Sequence, residues 1–175
     1  MDFTVYIFVV SMIVFIGASL YVWFRFFKKE TKREIANDEA KKTMLQAYER
    51  LSLLVSRIGL PNLISRLNVP NSECRDMAQL LITTIREEFD FNTSQQIYVS
   101  ANAWQAMKTL RDQNIAIVSQ IAAAMPLEAT GGDLNRAILE FLSDDKRGNL
   151  HELVSNVLAE EAKKLLNSSH VIYKD

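Results

Sequence analysis

The amino-acid sequence predicts an all-α protein: one N-terminal transmembrane helix continuing into a charged stalk, then a cytoplasmic helical bundle. Three observations carry this. Residues 3 to 24, FTVYIFVVSMIVFIGASLYVWF, contain no formal charge. Beyond them apolar residues recur at spacings of three and four, the period of an amphipathic helix. After Gly17, the prolines and glycines fall between these periodic runs, where helices stop.

The first element is a membrane span. Twenty-two residues at a rise of ~1.5 Å each reach ~33 Å, enough to cross a hydrocarbon core of ~30 Å. Thirteen of them are Leu, Ile, Val or Phe, each contributing roughly 0.3 to 0.6 kcal/mol to insertion. A secretory signal peptide is the competing reading. It fits poorly, because no Lys or Arg precedes the run and apolar residues continue past Gly17-Ala18-Ser19, which imitates a cleavage site. Arg25, Lys28, Lys29, Lys32 and Arg33 crowd the exit against Glu30, so the positive-inside rule places the following domain in the cytoplasm. Tyr21 and Trp23 sit at the same end, at the level where aromatic rings favour the interface. Together these seven residues form the expected membrane-interface set, with the lipid bilayer as partner. The span holds no ionisable group suited to a proton path and no G-x-x-x-G spacing for close helix pairing.

The 175 residues carry 20 basic and 21 acidic side chains. Residues 1–33 hold five basic and two acidic groups, leaving 15 and 19, or a net −4, in residues 34–175. That balance argues against a nucleic-acid partner, which requires a basic face. Cys74 is the single cysteine, so no intramolecular disulfide or multi-cysteine zinc site is available, and a lone thiol fits a reducing compartment.

The chain divides into an anchor with its basic flank (1–27), a charged helical stalk (28–43), a bundle (44–167) and a flexible tail (168–175). The spanning helix is expected to run on to Ile58, with Ala40, Met44, Ala47, Leu51, Leu54 or Val55, and Ile58 on one buried face. A parallel coiled coil along this face is the alternative, though the seam is short. Gly59 should supply a left-handed cap, and an irregular segment follows to Pro70. Asn71 or Ser72 caps a helix whose stripe is Met77, Leu80, Leu81, Thr84, Ile85 and Phe89. Ser100 caps the next, from Ala101 to about Met125, with Trp104, Met107, Leu110 or Arg111, Asn114, Ile117 or Val118, Ile121 and Met125 inward. Thr130-Gly131-Gly132-Asp133 opens a shorter helix to about Leu142. After a polar turn at residues 143–148, the last helix from Asn149 to Leu166 buries Leu150, Leu153, Val154, Val157, Leu158, Leu165 and Leu166.

Signatures of chemistry are missing where they would be expected. His151-Glu152 lacks a second histidine at position 155, which is Ser155, so no metal site is expected. Gly131-Gly132 lacks phosphate-loop spacing. Glu87-Glu88, Asp144-Asp145 and Glu160-Glu161 are adjacent pairs that face different ways on a helix. Cys74 has no assigned catalytic partner. No catalytic residue, cofactor or metal is therefore expected, and the protein is read as a non-enzyme. Two places remain of interest. Asn92, Thr93, Ser94, Gln95 and Gln96 form an uncharged polar run between Phe91 and Ile97; it either presents amides and hydroxyls to a partner or caps helices. Trp104 with Met77, Met107 and Met125 either lines a ligand pocket or packs as ordinary core.

ERLSLLVSRIGLPNLISRL from Glu49 and LITTIREEFDFNTSQQIYVSANAWQAMK from Leu81, after a span and a charged stalk, resemble a family of short bacterial single-pass membrane proteins of unknown function. The resemblance implies a bacterial inner (cytoplasmic) membrane, N-terminus outside and bundle inside, and brings no activity or site residue. The expectation is a tethered interaction or scaffolding module with a protein partner or a homo-oligomeric state, without nucleic acid or metal. The alternative is an anchored ligand-binding or enzymatic domain with a pocket in the bundle core.

Overall fold

The computed structural model describes the backbone of residues 3–144 and 150–167, with side chains at Met12 and residues 15–23, 37–143 and 150–167. The described residues form six α-helices and one 3-10 turn, with no strand: α1 Phe3–Ile58, α2 Leu60–Leu67, α3 Cys74–Phe91, the turn Thr93–Ile97, α4 Ala101–Ala124, α5 Gly131–Asp144 and α6 Leu150–Asn167. They fall into two units, Met1–Lys42 and Thr43–Asp175.

The first unit is helical from Phe3 onward, as a stretch without proline allows. Among the described residues no helix is long and apolar enough to cross a membrane. Most side chains of the predicted span, and those of Arg25, Lys28, Lys29, Lys32 and Arg33, lie outside the described ones. The part inside, Met12 and residues 15–23, is exposed throughout, including Phe15, Leu20, Tyr21 and Trp23.

The second unit contains the core. α3 packs against α4 and α5, α4 against α5 and α6, and the short α2 touches α3 and α5. Leu51, Leu54 and Ile58 from α1 meet Met77, Leu81 and Ile85 from α3, Met107 and Leu110 from α4, and Leu134, Ile138 and Leu158 from the last two helices, all fully buried. Each such side chain contributes roughly 1.5–3 kcal/mol by leaving water. The predicted α1 face begins later than the periodicity suggests: Ala40 is exposed, Met44 half-buried, and continuous burial starts at Ala47.

The corner after α1 also departs from expectation. Gly59 is not left-handed; its φ of −57° and ψ of 122° are ordinary extended backbone. A second helix starts at once, because Pro61 stands in its first turn, where a missing N–H leaves no bond unmade. Leu60, Leu63 and Ile64 supply its buried face. Glycine at position 59 leaves room for the His151 ring, since a Cβ there would lie 2.9 Å from its Cδ2. Side chains cap the free carbonyls of α1: Asn114 Nδ2 donates to Ile58 O at 2.8 Å, buried, and Arg66 Nη2 donates to Arg57 O at 2.9 Å.

Helix α3 starts two to three residues after the predicted caps. Ser72 Oγ turns back to donate to Val69 O at 2.8 Å, and the N-cap Glu73 makes no side-chain cap bond. The first N–H of the helix, from Cys74, is instead satisfied by Ala129 O at 3.1 Å. This belongs to a short antiparallel pairing of Glu73 with Thr130, completed by Gly131 N donating to Ser72 O at 2.8 Å. Leu80, placed in the buried stripe by its spacing, is exposed. Ser100 caps α4 as expected, its Oγ accepting from Ala103 N at 3.0 Å.

Helix α5 opens with a reciprocal capping arrangement. Asp133 N donates to Thr130 Oγ1 at 3.2 Å, while Thr130 Oγ1 and N donate to Asp133 Oδ2 at 2.7 and 3.1 Å. The hydroxyl of Thr130, and then its N–H, hold the Asp133 carboxyl below its ordinary value. A depressed native pKa stabilises the fold above the unfolded value of 3.8 and loses that contribution as pH falls through the native value. In urea melts, the stability gap between wild type and Asp133→Ala is therefore expected to stay level from neutrality to about pH 4 and to close below it. A gap that widens on acidification overturns this assignment.

Helix α6 buries a narrower stripe than predicted. Val154 and Leu158 are buried and Leu150 and Leu165 partly so, but Leu153 and Leu166 face water. It packs against α4 and reaches α1 through Glu161, which accepts from Tyr48. Residues 145–149 of the predicted turn and the tail at 168–175 lie outside the described residues.

Candidate functional site

The polar run 92–96 closes α3. Asn92 is buried and its Nδ2 donates to Glu88 O at 2.9 Å; its own N–H returns to Phe89 O at 3.0 Å. Thr93 Oγ1 reaches back to Phe89 O at 3.4 Å, and buried Gln95 donates through Nε2 to Ser94 Oγ at 3.1 Å. Gln96 faces water. Asn92 and Thr93 thus cap carbonyls that the end of α3 leaves open, while Thr93, Ser94 and Gln96 remain exposed. What the turn exposes is its apolar flanks, Phe91 at 81 %, Ile97 at 72 % and Tyr98 at 38 %.

Beneath this turn the aromatic residues are packed. Phe89 and Trp104 have ring centroids 5.1 Å apart, and the Arg111 guanidinium lies 4.4 Å above the Phe89 ring, a cation–π contact. Met77 and Met107 are fully buried in the same core. Trp104, Met77 and Met107 therefore act as packing, and Met125 alone of the proposed pocket residues lines a described cleft.

That cleft, about 550 Å³, lies between the start of α3 (71–75) and the end of α4 with its following loop (122–130). Glu73, Arg75 and Glu128 bring charge to it, and Ala122, Ala123 and Met125 an apolar wall. Cys74 also lines it but is buried, and burial pushes its thiol above the ordinary value, against the smaller opposing effect of Arg75. Burial and this shift make the thiol less available as a thiolate than an exposed cysteine.

One buried polar group that sequence reasoning passes over joins three elements. Tyr48 is 4 % exposed, and its hydroxyl donates to Glu161 Oε2 at 2.6 Å while accepting from Ser100 N at 3.1 Å. One oxygen thus ties α1, the cap of α4 and α6. Burial first, and Glu161 second, raise the pKa of the phenol. A comparable node sits at Glu88, whose Oε1 accepts from Arg57 Nε at 2.8 Å and lies 2.7 Å from Arg57 Nη2 and 3.7 Å from Arg66 Nη1. From two of the three adjacent acid pairs, Glu87-Glu88 and Glu160-Glu161, one member thus joins a tertiary bond across helices. His151 sits against Gly59, with its buried Nε2 lacking a partner among the described residues. His170 and Asp145 lie outside the described residues.

The fold and its sites define a helical bundle whose internal polar groups serve its own helix ends, with apolar side chains and a charged cleft at the surface. No group of three or more metal-ligating side chains occurs among the described residues. The chain belongs to a family of unknown function, DUF7935, which it matches over residues 2–165. No curated protein and no solved structure matches it.

Proposed function

We propose that this chain is a membrane-tethered helical interaction module, an accessory subunit that acts by association with a protein partner or with further copies of itself rather than by catalysis. In this reading residues 3–24 span a bacterial inner membrane and the bundle lies on its cytoplasmic side. The observation that carries association is the exposure of Phe91, Ile97 and Tyr98 around a turn in which Asn92 and Gln95 are already engaged. Large apolar side chains grouped at a surface mark interaction sites more often than scattered ones do, and aromatic anchors carry much of interface energy. The tether is supported by the uncharged run itself, the basic flank after it and the outward-facing Phe15, Ile16, Leu20 and Val22.

Two experiments test the two halves. Full-length protein should remain in the membrane pellet after alkaline carbonate extraction, and release into the supernatant overturns the tether. Native mass spectrometry of the protein in mild detergent should show a complex of fixed stoichiometry. Phe91→Ser with Ile97→Ser should weaken that complex by at least about tenfold, the effect of losing interface anchors, with helix content unchanged by circular dichroism. A wild-type protein that is monomeric and carries no partner overturns the association.

A further inference from the structure

We propose that the cleft between residues 71–75 and 122–130 binds an extended peptide segment carrying a basic residue. The inference rests on the reading of the chain as an interaction module and gives that module a second, chemically defined docking place.

Three observations converge there. The first is unused backbone. In the antiparallel pairing of Glu73 with Thr130, the residues on either side of Glu73 turn their bonding groups inward, Cys74 N to Ala129 O and Ser72 O to Gly131 N. Alternation along an extended chain therefore turns the Glu73 N–H away from the pair. Among the described residues nothing accepts from that N–H, and the N–H and C=O of Leu127 and of Glu128, in the turn closed by Ala129 N donating to Pro126 O at 3.1 Å, likewise have no protein partner. All three residues line the cleft. Donors and acceptors of this kind suit main-chain recognition of an added strand, where backbone bonds give affinity and side-chain contacts give choice.

The second is size and surface. About 550 Å³ accommodates a few residues of peptide, and Ala122, Ala123 and Met125 form an apolar wall on one side. Leu127 stands at the rim, 80 % exposed, placed to cover an apolar side chain of the incoming segment. The third is charge. Glu73 and Glu128 oppose a single base, Arg75, so the lining carries a net −1. Neither acid is engaged in an ion pair among the described residues. A lysine or arginine in the ligand complements this pair, and an acidic ligand is repelled by it.

The test uses the full-length protein in mild detergent and three pools of fluorescein-labelled decapeptides, random except for two fixed lysines, two fixed glutamates or two fixed serines. Fluorescence anisotropy should show the lysine pool binding about tenfold more tightly than the glutamate pool, the scale set by placing like charges together. Ala123→Trp, a change at an exposed helix position that fills the cleft, should abolish binding. Glu73→Lys with Glu128→Lys should reverse the preference toward the glutamate pool. Failure of every pool to bind, binding undiminished by Ala123→Trp, or a preference unmoved by the charge reversal each overturns the proposal. The Phe91 and Ile97 association is read separately by mass spectrometry, so loss of one result leaves the other standing.

Discussion

Gly131→Ala is expected to destabilise the bundle by about 2–3 kcal/mol, the cost of forcing an extra methyl into a packed site, while Gly132→Ala, one residue on, is expected to be neutral or slightly stabilising. Neither glycine has a positive φ, so the difference is one of space. A Cβ at position 131 would lie 2.5 Å from Ser72 Oγ, 2.9 Å from Val69 O and 3.0 Å from Met77 Cβ. The hydroxyl can rotate away, but the carbonyl is backbone and the Met77 Cβ is fixed by α3. Relief therefore requires the 69–72 loop to retreat, which stretches the Gly131 N to Ser72 O bond. At position 132 the nearest atom is Pro70 O at 3.3 Å, a gap that closes with a shift of a few tenths of an ångström. Alanine there also gains up to roughly 1 kcal/mol of helix propensity over glycine. Paired urea melts decide the matter: equal midpoints for the two variants would show that the loop and α3 are not held as close as the structure has them.

Tyr48→Phe is the second large effect, expected at about 1–3 kcal/mol, the cost of leaving buried hydrogen-bonding groups without a partner. The variant keeps the ring and its packing while removing the oxygen shared by Glu161 and Ser100 N. Glu161 retains access to water, so most of the loss is expected from the Ser100 N–H and from the bond tying α6 to α1. Because the native state raises the phenol pKa, it holds the proton more tightly than the unfolded chain does. This contribution is complete below the ordinary value of 10.0 and is lost as pH rises through the native value. The stability difference between wild type and Tyr48→Phe should thus be flat up to about pH 10 and shrink above it. A difference that grows with alkalinity would mean that the hydroxyl is not the source.

Helix identity was legible wherever one face of a segment meets a broad neighbour. Met77, Leu81, Ile85 and Phe89 are buried at the spacing that declares α3, and Ser100 caps α4 by a signal local to the sequence. Legibility failed where tertiary contact overrides local pattern. Gly59-Leu60-Pro61 reads as a stop, yet the fold uses glycine for clearance against His151 and proline as a helix start. Leu80, Leu153 and Leu166 lie on or beside apolar stripes but are exposed among the described residues, and no local rule states how wide a neighbour will be. The polar run at 92–96 was visible as unusual, whereas the exposure of Phe91 and Ile97 depended on which way the chain leaves α3. Tyr48 could not be found by motif, because its partners are 52 and 113 residues away. A lone tyrosine beside an apolar stripe is the one hint it offers.

That 113-residue separation between Tyr48 and Glu161 has a consequence for biosynthesis. At about 5–20 residues per second, a ribosome takes roughly 6 to 23 s to make the intervening chain. Throughout that interval α1 has been synthesised while α6, which brings Glu161 to Tyr48 and Val154 and Leu158 to the shared core, has not. Nascent bundles therefore pass through a stage with an uncovered apolar strip, and chaperone occupancy measured along the growing chain should rise once α1 leaves the exit tunnel and fall only when α6 emerges.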